Sequence, residues 1–161
     1  MVDFSRILVP VDFSVESELA VEWAVGLLKG RQGARILLLH VGPPPPTRLV
    51  CVTGSVCLTG WKEDSVRSEW EKEKWELECW QQKIPEPIRS DVIIETGCVA
   101  TAVRRMCLEY AVDLVIMTKR TRCGLSRLVH PHSCVRTVRW AACPILVLHA
   151  NSKTRRLAMA H

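Results

Sequence analysis

Apolar residues along this chain recur with two periods. Runs with almost no polar residue stand at Arg6 to Val11, Ile36 to Val41, Val92 to Ile94, Leu114 to Met117 and Ile145 to Leu148. Short runs without polar alternation read as strands covered on both faces, as parallel strands are. Between them, apolar residues return every three or four positions, the mark of a helix with one buried side. Leu19, Ala20, Trp23, Ala24, Leu27 and Leu28 form the first such side. Ser14 ahead of them is a good N-cap, and Gly30 or Gly33 ends the helix. From Glu63 to Lys83 glutamates and lysines interleave, with Val66, Trp70, Leu77, Trp80 and Ile84 sharing one face. Trp75 and Cys79 fall off that face. An exposed Trp75 would mark a contact surface for a protein partner; the alternative is that the preceding loop folds over it. Gly97 opens a third helix, with Val99, Val103, Met106, Cys107 and Tyr110 on one side, and Ser133 to Ala141 forms a fourth.

The order is β-α-β-α-β-α-β-α-β. It predicts one α/β domain over residues 1–150, a parallel sheet with helices on both faces joined by right-handed crossovers. Gly42 and the four prolines that follow it exclude helix and sheet. Leu49 to Thr59 reads either as a small hairpin turning at Gly54 or as an irregular loop, so 42–60 is a Pro-rich insertion. In a hairpin, a three-residue loop sets Cys51 opposite Cys57, whereas a two-residue Gly-Ser turn puts them on opposite faces. Residues 151–161 carry no pattern and are expected to form a disordered tail.

Composition narrows the class. The chain has 161 residues, 48% apolar and 24% charged, as in a soluble globular domain. The net charge of +5 sits partly in the tail and in the loop after Met117. No groove-reading motif accompanies it, so no nucleic-acid partner is expected. No apolar run approaches the ~18 residues of a membrane span. The first residues enter a strand and do not resemble a signal peptide, which predicts a cytoplasmic protein. The eight cysteines are scattered without a Cys-x-x-Cys spacing and read as reduced, mostly buried thiols. Cys98 stands near a helix start, where the dipole lowers a thiol pKa; it reads either as reactive or as an ordinary thiol.

The candidate chemistry lies in the basic loop from Thr118 to Pro131. It leaves the carboxyl end of a buried strand, where open α/β sheets bind ligands. Asp12, at the end of the first strand, is either a ribose or water partner or a polar turn residue before a helix. No His-Asp-Ser or Cys-His set stands at a recognisable spacing, so no enzymatic activity is expected.

Several segments together resemble the universal stress protein family. They are Arg6-Ile-Leu-Val-Pro-Val-Asp-Phe-Ser, Ile36-Leu-Leu-Leu-His-Val, Gly97 with Tyr110-Ala-Val-Asp-Leu-Val-Ile-Met, Arg122-Cys-Gly-Leu-Ser-Arg-Leu-Val and Ala142-Cys-Pro-Ile-Leu-Val-Leu. The resemblance spans Phe4 to Leu148. It implies a five-stranded parallel sheet in the order 3-2-1-4-5, Rossmann-like and akin to the adenine nucleotide alpha hydrolases. It also implies a cytosolic homodimer paired through the last strand, at Ile145, Leu146, Val147 and Leu148.

Family members that bind ATP resemble one another in a Gly-x-x-Gly loop followed, after a spacer, by Gly-Ser or Gly-Thr. Here those glycines fall on Thr118, Thr121 and Pro131, and the hydroxyl residue on His132. Threonine is disfavoured at positive φ, and Pro131 has no N–H for a phosphate. Ser133, on the helix that follows, could still offer its N–H to an anion. Pro10, Val11 and Asp12 stand where the binders meet adenine and ribose, and Val41 and Met117 where they wall the base. Lys119, Arg120, Arg122 and Arg127 supply charge without a backbone cradle, which gives weak, salt-sensitive attraction.

Three functional readings follow. The first is a non-catalytic, dimeric stress-response regulator with a degenerate nucleotide site and no resident cofactor. The second is a nucleotide-dependent switch that still binds ATP or AMP. The third is a metal- or redox-responsive binder in which Cys123, His130, His132 and Cys134 hold a tetrahedral zinc ion.

Overall fold

The computed structural model describes residues 4–42, 48–52, 55–59, 63–119 and 133–149. The elements are β1 (Arg6–Val11), α1 (Val15–Leu28), β2 (Arg35–Gly42), β3 (Arg48–Val52), β4 (Ser55–Thr59), α2 (Glu63–Gln81), β5 (Arg89–Thr96), α3 (Val99–Glu109), β6 (Leu114–Lys119), α4 (Ser133–Trp140) and β7 (Ile145–His149). Five strands form one all-parallel sheet in the order β5-β2-β1-β6-β7. Counted along that sheet alone, this is the order 3-2-1-4-5 that the resemblance implies.

Side-chain alternation splits the core in two. Ile7, Val9, Ile36, Leu38, Leu114 and Ile116 face α1 and α2. Leu8, Leu37, Leu39 and Val115 face α3, meeting Ala102, Val103 and Met106. Both faces of β1 and β2 are therefore covered, which is why their sequences are apolar apart from Arg6 and Arg35 at the strand starts and the buried His40. Each such side chain taken from water contributes about 1.5–3 kcal/mol.

β3 and β4 pair antiparallel in a separate two-stranded sheet, with Val52 opposite Ser55. Two residues, Thr53 and Gly54, lie between them, so the connection is one residue earlier than the Gly-Ser turn considered from the sequence. Cys51 is opposite Val56, and Cys57 is opposite Val50. The two cysteines are therefore not register partners.

Five details differ from the sequence reading. β2 runs on through Gly42, which the sequence reading assigned to the Pro-rich insertion, because its backbone still pairs with Thr96 of β5. The third strand of the main sheet extends well beyond Val92 to Ile94, because β5 pairs with β2 from Arg35↔Arg89 to Gly42↔Thr96. Backbone pairing at a sheet edge needs no apolar side chains, and Arg35 and Asp91 add an ion pair there. α2 ends at Gln81 and α4 at Trp140. Trp23 is 46% exposed, although its neighbours on the same face, Leu19 and Leu27, are buried and half-buried.

The start of β6 is fastened to the start of β1 by Asp113. Its Oδ2 accepts the Ser5 N–H at 2.9 Å, the Ser5 hydroxyl at 2.9 Å and the Arg6 N–H at 2.8 Å. Burial pushes this carboxyl up, but the hydrogen bonds from Ser5 and Arg6 outweigh it and hold the group below its ordinary value.

Candidate functional site

The chain leaves β1 for β2 on one side and returns through β5 to β6 on the other. The loops after β1 and β6 therefore diverge, and the crevice between them is the topological switch point where such sheets take ligands. The backbone opens this crevice itself. β1 and β6 are in register at Ile7↔Leu114 and Leu8↔Val115. The Ser5 carbonyl accepts from Arg35 of β2, and the Arg6 carbonyl accepts from Asp113 beside β6. Alternation then turns the even residues of β1 toward β6. The next ladder bond would run from the N–H of residue 10 to the Ile116 carbonyl. Residue 10 is proline and has no N–H, so the pairing stops there.

The same alternation places Pro10, Val41 and Met117 on the sheet face that carries Leu8, Leu39 and Val115. Met117 is buried, and Pro10 and Val41 are half-buried. The structure thus brings these three sequence-chosen residues together at the carboxyl ends of β1, β2 and β6. Val11 points to the opposite face and belongs to the core under α1 and α2.

Asp12 is tied into the turn that starts α1. Its Oδ1 accepts the Ser14 N–H at 3.2 Å and the hydroxyls of Ser14 and Ser17. Ser14 in turn caps α1 by accepting the Ser17 N–H at 3.2 Å. This is the role of a polar turn residue, and the exposed Asp12 also edges the crevice.

Thr118 is still in a strand, with Leu148 as its register partner. The Val115 N–H donates to the Pro144 carbonyl on the β7 side. By alternation the Thr118 N–H is directed to the opposite side, toward the crevice. Thr121, Arg122, Pro131 and His132 lie outside the described residues, as do Arg120 and Arg127 and the ligands Cys123 and His130 of the zinc reading. Ser133 and Cys134 open α4, and only their backbone is described. Among the described residues no group of three or more His, Cys, Asp or Glu side chains could hold a metal ion. The tail at 151–161 is also outside the description.

An aromatic cluster beside the crevice escaped the sequence reading. Phe13 adopts φ +57°, a left-handed conformation that side chains other than glycine rarely take. Its ring lies tilted against His40, with centroids 4.5 Å apart, and meets Trp80 edge-on at 6.1 Å. His40 is buried, with Nδ1 2.9 Å from the Val11 carbonyl and Nε2 3.5 Å from Glu73 of α2. A carbonyl only accepts, so Nδ1 carries a hydrogen. A lone histidine inside an apolar strand was the signal available in the sequence.

Helix α3 starts at the same end of the sheet. Its N-cap, Cys98, is exposed. The backbone amide of Thr101 stabilises the thiolate and lowers this thiol below its ordinary value, the direction expected at a helix start. On α2, Trp75 is 65% exposed.

A doubly covered parallel sheet with a crevice at its switch point defines a Rossmann-like α/β protein. The sequence model of the universal stress protein family matches residues 3–149, and the chain belongs to that family. No curated protein sequence matches the chain. Among solved structures it is similar to universal stress protein UspA from Lactobacillus plantarum, at 20% identity and TM-score 0.64, with 90% of this chain and 97% of that chain covered. It is also similar to a universal stress protein in complex with cAMP, at 12% identity and TM-score 0.62, covering 91% and 97%. A family member from Arabidopsis thaliana with AMP bound aligns at 16% identity and TM-score 0.56, covering 92% and 94%. No helix among the described residues is long and apolar enough to cross a membrane.

Proposed function

We propose that this chain is a non-catalytic, dimeric regulator of the universal stress type whose nucleotide site has lost its phosphate cradle. What supports this reading is the extended backbone at Thr118, which stays in register with β7 where ATP-binding relatives have the first glycine of their loop. Pro131, with no N–H to give, stands where they have the last. The crevice remains, because Pro10 opens it and Pro10, Val41 and Met117 line one face. A base and ribose thus keep a docking place, while a triphosphate has charge to meet but few main-chain donors.

The test is thermal unfolding with millimolar ATP and magnesium. A ligand present at 100 times its Kd adds ~2.7 kcal/mol, worth several degrees in a domain of this size. We expect a shift below about one degree with ATP and no measurable ATP turnover. Restoring glycine at Thr118, Thr121 and Pro131 should create an ATP-dependent shift. A shift of several degrees in the unaltered chain would refute the lost cradle. It would favour the second reading, a switch that still holds ATP or AMP, which the intact crevice and the AMP- and cAMP-bound relatives support.

The dimer is proposed through β7. This strand has β6 on one side only, leaving an edge. Ile145, Leu146 and Val147 are half-buried and Leu148 is buried. Beside them, Val135, Val138 and Trp140 of α4 are exposed at 64%, 51% and 56%, apolar surface that a second copy across a two-fold axis would cover. A monomer mass in light scattering at micromolar concentration would refute it.

A further inference from the structure

Two thiols separated by 36 positions in the chain meet where α3 passes the lead-in to β7. Cys107 Sγ lies 3.4 Å from Cys143 Sγ, and both cysteines are free. Cys107 is on the inner side of α3 and 4% exposed, whereas Cys143 is half-buried in the turn after α4. The backbone is pinned on both sides. The Cys107 carbonyl accepts the Val112 N–H at 3.1 Å, and Pro144, next to Cys143, accepts from Val115 at 3.0 Å. Closing 3.4 Å to an S–S bond of about 2.05 Å moves the sulfurs by roughly 1.4 Å, a displacement on the scale of side-chain rotation.

We propose that Cys107 and Cys143 are a redox modification site, oxidised by peroxides to an intramolecular disulfide that ties α3 to the edge strand. Cys143, the more accessible sulfur, meets the oxidant. Its thiolate attacks one peroxide oxygen, the O–O bond breaks, and the leaving oxygen takes a proton to give water or an alcohol. Cys143 is then a sulfenic acid. The Cys107 sulfur attacks the Cys143 sulfur, and hydroxide leaves and takes the Cys107 proton as water. Two thiols and one peroxide thus become one disulfide, water and the reduced peroxide, with two electrons passing to the oxidant.

The surroundings set the rate. Burial, joined by the hydrogen bond and charge of Cys143, pushes the Cys107 thiol up to about 12. Burial also raises Cys143, although the Cys107 thiol hydrogen-bonds to it and favours its thiolate. Few thiolates exist at neutral pH, so the first step is slow and accelerates roughly tenfold per pH unit. The second step is intramolecular and fast by proximity. The closed ring would contain β6, the 120–132 segment and α4, the part of the chain that carries the altered phosphate loop.

Reduced full-length protein is treated with hydrogen peroxide at pH 8, quenched with N-ethylmaleimide, digested without reductant and analysed by mass spectrometry. The expected product is a Cys107–Cys143 linked peptide, with a melting point several degrees higher that dithiothreitol reverses. In Cys143→Ser the linked peptide is lost and Cys107 gains no oxygen. In Cys107→Ser, Cys143 is trapped as a sulfenic acid by dimedone. The proposal is overturned if no linked peptide forms in the unaltered chain, if either sulfur pairs mainly with another cysteine, or if Cys107 oxidises equally well in Cys143→Ser. The first two outcomes are read on the unaltered protein, so they stand whether or not a variant folds.

Discussion

Replacing Asp113 with asparagine should destabilise the fold in a way that depends on pH. In the native chain one carboxylate oxygen accepts two backbone N–H groups and a hydroxyl from Ser5 and Arg6. Hydrogen bonds to a charged group each contribute roughly 1.5–3 kcal/mol. They are not additive here, because water reaches the half-buried site and asparagine keeps one acceptor. About 2 kcal/mol is the resulting loss, a fall in Tm of ~4–8 °C for a domain of this length. The sign with pH follows from a carboxyl held below its ordinary value of 3.8 in the folded protein. Such a group stabilises the fold fully above 3.8, and the contribution is lost as pH falls through the folded value. Urea unfolding of both proteins from pH 7 down to pH 2 measures this. The gap should be constant down to about pH 4 and close below it. A gap that stays constant through pH 2 would show that shape, and not the charge of Asp113, fastens β6 to β1.

Two further outcomes test the packing and the reactive edge. Leu77 is fully buried under the sheet and Trp75 is exposed on the same helix. Leu77→Ala should therefore cost about 2–5 kcal/mol and Trp75→Ala no more than about 0.5 kcal/mol, by urea unfolding; equal losses would refute the assigned face of α2. Cys98, lowered below its ordinary 9.0, should be alkylated by iodoacetamide before Cys107 or Cys143 at pH 7.5. Peptide mapping that finds Cys107 modified first would contradict the burial and thiolate assignments.

The sheet was legible because parallel strands covered on both faces are almost wholly apolar, as Ile36 to Val41 is apart from His40 and Leu114 to Met117 is throughout. β5 was under-read for the opposite reason. It lies at the sheet edge, and its ends are secured by main-chain pairing and by Arg35–Asp91, neither of which leaves a hydrophobic trace. The crevice residues Pro10, Val41 and Met117 came from resemblance, and alternation then placed them on one face. Asp12 had two readings, and only its bonds to Ser14 and Ser17 showed how firmly the turn holds it. Phe13 was invisible, since nothing in a sequence announces an aromatic residue at positive φ. The approach of Cys107 to Cys143 was equally hidden, because it depends on where α3 settles against residues 36 positions away.

Pro10 gives the molecule a seam that no rearrangement of side chains can sew shut. A cleft held apart by bulky groups can collapse when they swing away, but a missing hydrogen cannot be supplied by motion. The parting between the carboxyl ends of β1 and β6 is thus written into covalent structure.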